Sequence, residues 1–225
     1  MTNKERFIEL LRSTKREGIE RLIDFLEKTD FFTAPASTRF HSSYEGGLLQ
    51  HSLNVYDCLA GLGTTTGDVQ EFKTAGMRLD SIPKESIIIV ALLHDLCKVN
   101  FYATEMRWRK DANNKWEQYP VFTVNDRNPY GHGEKSVMMA SEFIHLTMEE
   151  RYAIRWHMGM SEANNIQTYC QAAERYPLVL FTHMADQMAT SYLETNSGNK
   201  KPEDIYLGTE PAAQDPEEFA EAESI

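Results

Sequence analysis

The chain lacks the features that would mark a secreted, membrane-spanning or polynucleotide-coating protein. It has three cysteines in 225 residues, Cys58, Cys97 and Cys170, and no CxxC pair. Neither a disulfide framework nor a zinc knuckle is therefore expected. Long apolar runs are missing as well: the strongest, from Ile87 to Leu93, is far short of the ~20 residues needed to span a bilayer. The opening segment MTNKERFIELLRSTKREG is charged and has no apolar centre of the signal-peptide kind. These absences predict a cytoplasmic protein without membrane contact. An excess of base is also lacking, with 23 Lys and Arg against 34 Asp and Glu and a net charge of -11. A basic coat for long nucleic acid is thus excluded. The acid is unevenly spread: residues 202–225 hold eight acids and no base, which leaves 23 bases against 26 acids in residues 1–201.

What is present is helical periodicity. Phe7, Leu10, Leu11, Ile19, Leu22, Ile23 and Leu26 recur at three- and four-residue spacings over residues 3–28, an amphipathic pattern that Gly18 divides. A second helix is predicted from Gly47 to Leu62, and a central buried one in KESIIIVALLHDLCK after Pro83. Residues 105–124 break the pattern. Two short aromatic-rich strands flank the turn Asp111-Ala112-Asn113-Asn114, which predicts an inserted β-hairpin. Helical signals resume at GHGEKSVMMASEFIHL. Thr147 and Glu150 form a T-x-x-E capping box before the next helix. Two more helices are expected over 163–174 and 177–195. The fold class is all-α, a helical bundle with one small hairpin. Residues 1–196 are expected to form one domain and residues 197–225 an acidic tail without regular structure.

The histidines carry the chemistry. His51 lies in GGLLQHSLNV, His94-Asp95 in LLHDLCK, His132 in YGHGEKS, His157 in RWHMG, and Asp186 in THMADQM. The steps between them are 43, 1, 37, 25 and 29 residues, long enough for each to arrive on a separate element. Helical bundles build metal sites in this way, from inward-facing side chains on facing helices. His94-Asp95 closes the most apolar run of the chain, where an ionised Asp is costly unless paired or metal-bound. Four imidazoles and two carboxylates suit one or two divalent transition ions, Mn, Fe, Co, Ni or Zn, rather than Ca. Two such ions would activate water and stabilise charge on a phosphoryl group.

The ordered series H…HD…H…H…D resembles the HD-domain superfamily of metal-dependent phosphohydrolases, over roughly residues 35–195. Its sharpest matches are GGLLQH at 46–51 and LLHDLCK at 92–98, the latter of HD-x-x-K form. The run HSSYEGGLLQHSLNV is also similar to the HD domain of bacterial 3′→5′ exoribonucleases, which carry an OB-fold ahead of it; the ~35 residues before the motif here are too few for an OB-fold. The resemblance implies an HD-domain helical bundle in which His51, His94, Asp95 and Asp186 form a first metal site. It implies that Asp95 bridges to a second ion, with His132 and His157 as ligands there or as substrate-contacting or general-acid histidines around a single metal. Lys98 would counter phosphate charge, and Asp95, Lys98, His132 and His157 would be catalytic.

Around this set, His41, Gly46, Gly47 and Arg107 are candidate substrate contacts. The two glycines would let backbone approach a phosphate at a helix start, or else serve only as a flexible lead into the helix. His183, three residues before Asp186, would support that ligand or fill the core, and His145 reads as structural. The aromatic hairpin would either stack a base or simply dock on the body. The expected substrate is a small phosphorylated molecule, a nucleotide or short oligonucleotide. Two readings of other kinds stand beside it: an HD-fold di-iron oxygenase, and a non-catalytic nucleotide-binding HD module.

Overall fold

The computed structural model describes residues 1–64, 82–161 and 166–194. The expected acidic tail, residues 197–225, lies outside them. Eight α-helices and one antiparallel hairpin account for most of the described residues. Helix α1 (Asn3–Ser13) opens on a capping box: Thr2 Oγ1 accepts the Glu5 amide and Glu5 accepts the Thr2 amide. Helix α2 (Ile19–Lys28) follows Gly18, whose φ of 88° turns the chain where the periodicity breaks. Phe7 and Leu11 of α1 and Ile19, Leu22, Ile23 and Leu26 of α2 are buried, as their spacing requires.

Helix α3 spans Gly47–Thr64, and α4 spans Lys84–Leu93. Every residue of α4 from Ser86 to Leu93 is buried, and α4 packs against α1 and α3. Each fully buried Ile or Leu there contributes roughly 1.5–3 kcal/mol. Beyond the hairpin come α5 (His132–Ser141), α6 (Met148–Arg155), α7 (Ile166–Arg175) and α8 (Pro177–Met188). The expected capping box of Thr147 and Glu150 is present at α6, and Pro177 opens α8. Helix α8 lies on α3 and α6 and also touches α4, so α4 is enclosed by helices from both ends of the chain.

Glu150 does more than cap α6. Its side chain is fully buried and accepts a two-pronged contact from Arg16 Nη1 and Nη2, at 2.8 and 2.9 Å. Ser86 Oγ adds a hydrogen bond at 2.7 Å. This one carboxylate ties the α1–α2 turn to α4 and α6. Burial works to raise its pKa but is outweighed by Arg16, Ser86 and the Thr147 amide, so the carboxyl stays below its ordinary range.

The hairpin starts earlier than its sequence signal. Strand β1 runs Tyr102–Lys110 and β2 runs Trp116–Val124, paired from Tyr102↔Val124 to Lys110↔Trp116. Its turn is fixed by Asp111 Oδ1, which accepts the amides of Asn113 and Lys115. Only the base docks, where the Tyr102 hydroxyl donates to the Ala36 carbonyl at 2.9 Å. Trp108 and Trp116 are exposed. No helix among the described residues is long and apolar enough to cross a membrane.

The largest departure from the sequence expectation is at KESIIIVALLHDLCK. The α-helix stops at Leu93, Asp95 takes φ -103° and ψ 20°, and Leu96–Lys98 forms a 3₁₀ turn. Adjacent residues of a regular helix point about 100° apart. Ending the helix at the dipeptide lets His94 and Asp95 face one point.

Candidate metal centre

Five segments converge at the end of α4. His51 comes from the second turn of α3, His94 and Asp95 from the α4 terminus, and His132 from the first residue of α5. His157 lies just past the end of α6, in a turn rather than on the expected helix, and Asp186 comes from α8. All but His132 are buried. Asp95 is the hub. Its Oδ2 lies 3.4 Å from His51 Nε2 and 3.5 Å from His94 Nε2. Its Oδ1 lies 2.9 Å from His132 Nε2 and 3.6 Å from His157 Nε2. Asp186 Oδ1 is 3.4 Å from His51 Nε2.

The hydrogen-bond partners fix where the protons sit. His94 Nδ1 donates to the Ala91 carbonyl at 2.8 Å and His157 Nδ1 to the Ile154 carbonyl at 2.7 Å. His51 Nδ1 faces both oxygens of Glu194 at 3.0 and 3.1 Å. Carbonyls and carboxylates only accept, so each Nδ1 carries a hydrogen, and each ring in its neutral form turns its Nε2 lone pair inward. The Nε2 atoms of His51 and His94 then oppose each other at 3.1 Å, acceptor to acceptor. Asp95 Oδ1 and His157 Nε2 are buried without an aligned hydrogen bond. Unpartnered buried polar atoms are unfavourable, and a cation among them removes the conflict. The donor set of imidazole and carboxylate fits a divalent transition ion. His51, His94 and Asp95 form one compact group able to hold an ion, and Asp95, Cys97 and His132 form another.

Electrostatics follow the same geometry. Burial works against the Asp95 charge, yet Lys98, His94, His132 and His157 together hold its carboxyl well below the usual range. Burial lowers the His132 pKa, but its contacts with Asp95 and Cys97 prevail and raise it to about 9. His51 is likewise raised, burial being outweighed by Glu194, Asp186 and Asp95.

A protein-family model, the HD domain, matches residues 48–191. The chain belongs to the HD domain family. No curated protein and no solved structure matches it, and the narrower likeness to exoribonucleases is not shown. Membership gives the converging His and Asp residues the setting of a metal-dependent hydrolase family, and their donor set is compatible with divalent metal.

An open cavity of about 390 Å³ leads to the HD centre, with Phe40, His41, Lys98, Phe101, Tyr102 and His132 among its walls. Three of the four candidate substrate contacts are not brought to it in that role. Arg107 lies out on exposed β1, beside Glu105 at 3.9 Å, and five residues from Tyr102 it points to the opposite face of the strand. The amides of Gly46 and Gly47 are already donated to Thr33 and Tyr44 carbonyls. A Cβ on Gly47 would stand 1.9 Å from the Ser42 carbonyl oxygen, so this glycine permits close packing of a loop on a helix start, not phosphate approach. His41 does line the cavity, and its Nε2 is buried without a partner. Lys98 Nζ contacts Asp95 Oδ2 at 2.6 Å. His183 Nδ1 donates to the His157 carbonyl at 2.8 Å, which supports the His157 turn rather than Asp186.

Sequence reasoning missed Glu194 and Cys97. Cys97 Sγ lies 3.2 Å from His132 Nδ1, and its place two residues after Asp95 is the signal that could have flagged it. Glu194 follows a π-helical turn, Ala189–Leu193, that no periodicity announces.

Proposed function

We propose that this protein is a metal-dependent phosphohydrolase that cleaves a phosphoester of a nucleotide or short oligonucleotide. His51, His94, Asp95, Asp186, His132 and His157 would hold one or two ions of Mn, Fe, Co, Ni or Zn. The observation that carries the reading is the division of Asp95: one oxygen faces His51 and His94, the other His132 and His157. A carboxylate so placed can serve two cations. Bound there, divalent ions would supply an acidified water and neutralise charge on a phosphoryl group.

The chain's own groups supply the rest. Lys98, almost fully enclosed at the cavity wall, keeps its positive charge because the adjacent Asp95 more than offsets the effect of burial, and its pKa is raised. That charge would oppose the negative charge growing on the phosphoryl oxygens. His132 is the most exposed of the four histidines, 31% at the side chain, and stands at the mouth. Where it is not a ligand it would donate its Nε2 proton to the leaving oxygen. Phe40, Phe101, Tyr102 and Met158 offer apolar surface for a base. A cavity of about 390 Å³ is at the small end of ligand pockets, which favours a single nucleotide over a polymer. The test is metal analysis of the purified protein, then a panel of mono-, tri-, cyclic and oligonucleotides with each metal added back. Metal-dependent release of phosphate or nucleoside supports the reading. Bound iron with substrate-dependent O₂ consumption would replace it with oxygenase chemistry, and tight nucleotide binding without turnover under every metal with a binding module.

A further inference from the structure

We infer that Glu194 is a positioning residue of the centre, the group that holds the His51 imidazole with Nε2 turned toward the metal. This rests on the metal-centre reading above and adds a residue to it from outside the family match, which ends at 191. Three facts carry it. The Glu194 side chain is 1% exposed and places both carboxylate oxygens within 3.1 Å of His51 Nδ1. Its remaining acceptor capacity is used by Ser42 Oγ and Asn54 Nδ2, each donating at 2.9 Å. The carboxylate is thus fixed from two directions, by the loop before α3 and by α3 itself.

The contrast with the other two buried rings sharpens the point. His94 and His157 anchor their Nδ1 hydrogens on backbone carbonyls three residues earlier, contacts that come with the local turn. His51 instead relies on a charged side chain 143 residues away. A carboxylate on the far nitrogen fixes the tautomer and makes the imidazole a stronger donor to a metal. The π-helical turn Ala189–Leu193 after α8 delivers it; the wider coil re-aims the next residue, a device frequent at functional sites. Docking of this short segment and loading of the centre are therefore coupled.

The test uses the full chain, stripped by chelation, with Mn²⁺ and Co²⁺ affinities measured by competition against a metal indicator and the Co²⁺ visible spectrum recorded. Glu194→Gln should weaken binding by about 10- to 100-fold and shift the cobalt bands, and Glu194→Asp should recover part of the affinity. Glu150→Gln, which disturbs the Arg16 pair outside the centre, should leave both readouts alone. Should the Glu194 variants fail to fold, Asn54→Ala loosens the same carboxylate and should lower affinity several-fold. Parent-like affinity and an unchanged cobalt spectrum in Glu194→Gln, or in Asn54→Ala in its place, would overturn the inference while the metal centre stands. A parent protein that binds neither ion would remove the metal centre and the inference with it.

Discussion

Stripping metal from the protein should lower its melting temperature substantially, because the ligand atoms conflict with one another when no cation lies among them. The Nε2 lone pairs of neutral His51 and His94 oppose at 3.1 Å, and His157 Nε2 is buried with no hydrogen-bond partner. An unsatisfied buried polar group costs about 1–3 kcal/mol, so the folded metal-free state carries a penalty that binding removes. At a free ion concentration 100-fold above Kd, linkage gives about 2.7 kcal/mol of stabilisation. A domain of this size moves about 2–4 °C per kcal/mol, so the expected rise is roughly 5–11 °C. Scanning calorimetry in chelator, then in Mn²⁺, Co²⁺ or Zn²⁺, reads it directly. Ca²⁺ should do less, since the set is rich in nitrogen. Ligand histidines must be deprotonated to bind, and the contacts with Asp95 and Cys97 favour the protonated form of His132, so where His132 is a ligand the rise at fixed metal should shrink as pH falls. His94→Ala should flatten the response. Identical melting in chelator and in every metal, or the same rise in His94→Ala, would refute the reasoning.

Two further expectations concern the framework that holds the centre. Glu150→Ala leaves Arg16 without its buried partner and should cost about 3–5 kcal/mol in urea unfolding. Because the folded Glu150 carboxyl titrates below its ordinary value, its contribution is fully present above the unfolded pKa near 4.5 and is lost as pH falls through the lower folded value. The parent should therefore lose more stability than Glu150→Gln as pH is lowered from 5 toward 3; equal losses would count against this role. Gly47→Ala places a Cβ 1.9 Å from the Ser42 carbonyl oxygen and should destabilise by about 1–3 kcal/mol through overpacking. An unchanged urea midpoint would mean that the loop yields freely.

Much of this molecule is legible in its sequence because the relevant signals are local. The three- and four-residue spacing of Phe7 to Leu26, the break at Gly18, the box of Thr147 and Glu150, and Pro177 each describe a few neighbouring residues, and each recurs in the fold. The order of His51, His94-Asp95, His132, His157 and Asp186 was readable because these sit in five distinct segments, and the fold gathers the four histidines around Asp95 with Asp186 beside His51. What escaped depends on contacts distant in sequence or on small changes of helical pitch. The stop at Leu93 lies inside an uninterrupted helix-forming run, and only the demand that His94 and Asp95 face one point explains it. Arg107 has the right charge, but the strand register sends it to the outer face. The Gly46-Gly47 pair looks like a phosphate loop until its amides are traced to Thr33 and Tyr44. Glu194 is one acid among many near an acidic terminus, and nothing short of the π-helical turn brings it to His51.

The most direct measurement is turnover of the nucleotide panel by the parent and by Asp95→Ala, each with its metal content determined alongside. Asp95 touches both halves of the centre, so its loss should abolish metal-dependent hydrolysis and lower bound metal together, while the parent releases product only with a transition ion present. Hydrolysis by Asp95→Ala at the parent's rate and with the parent's metal content would contradict the assignment of this centre.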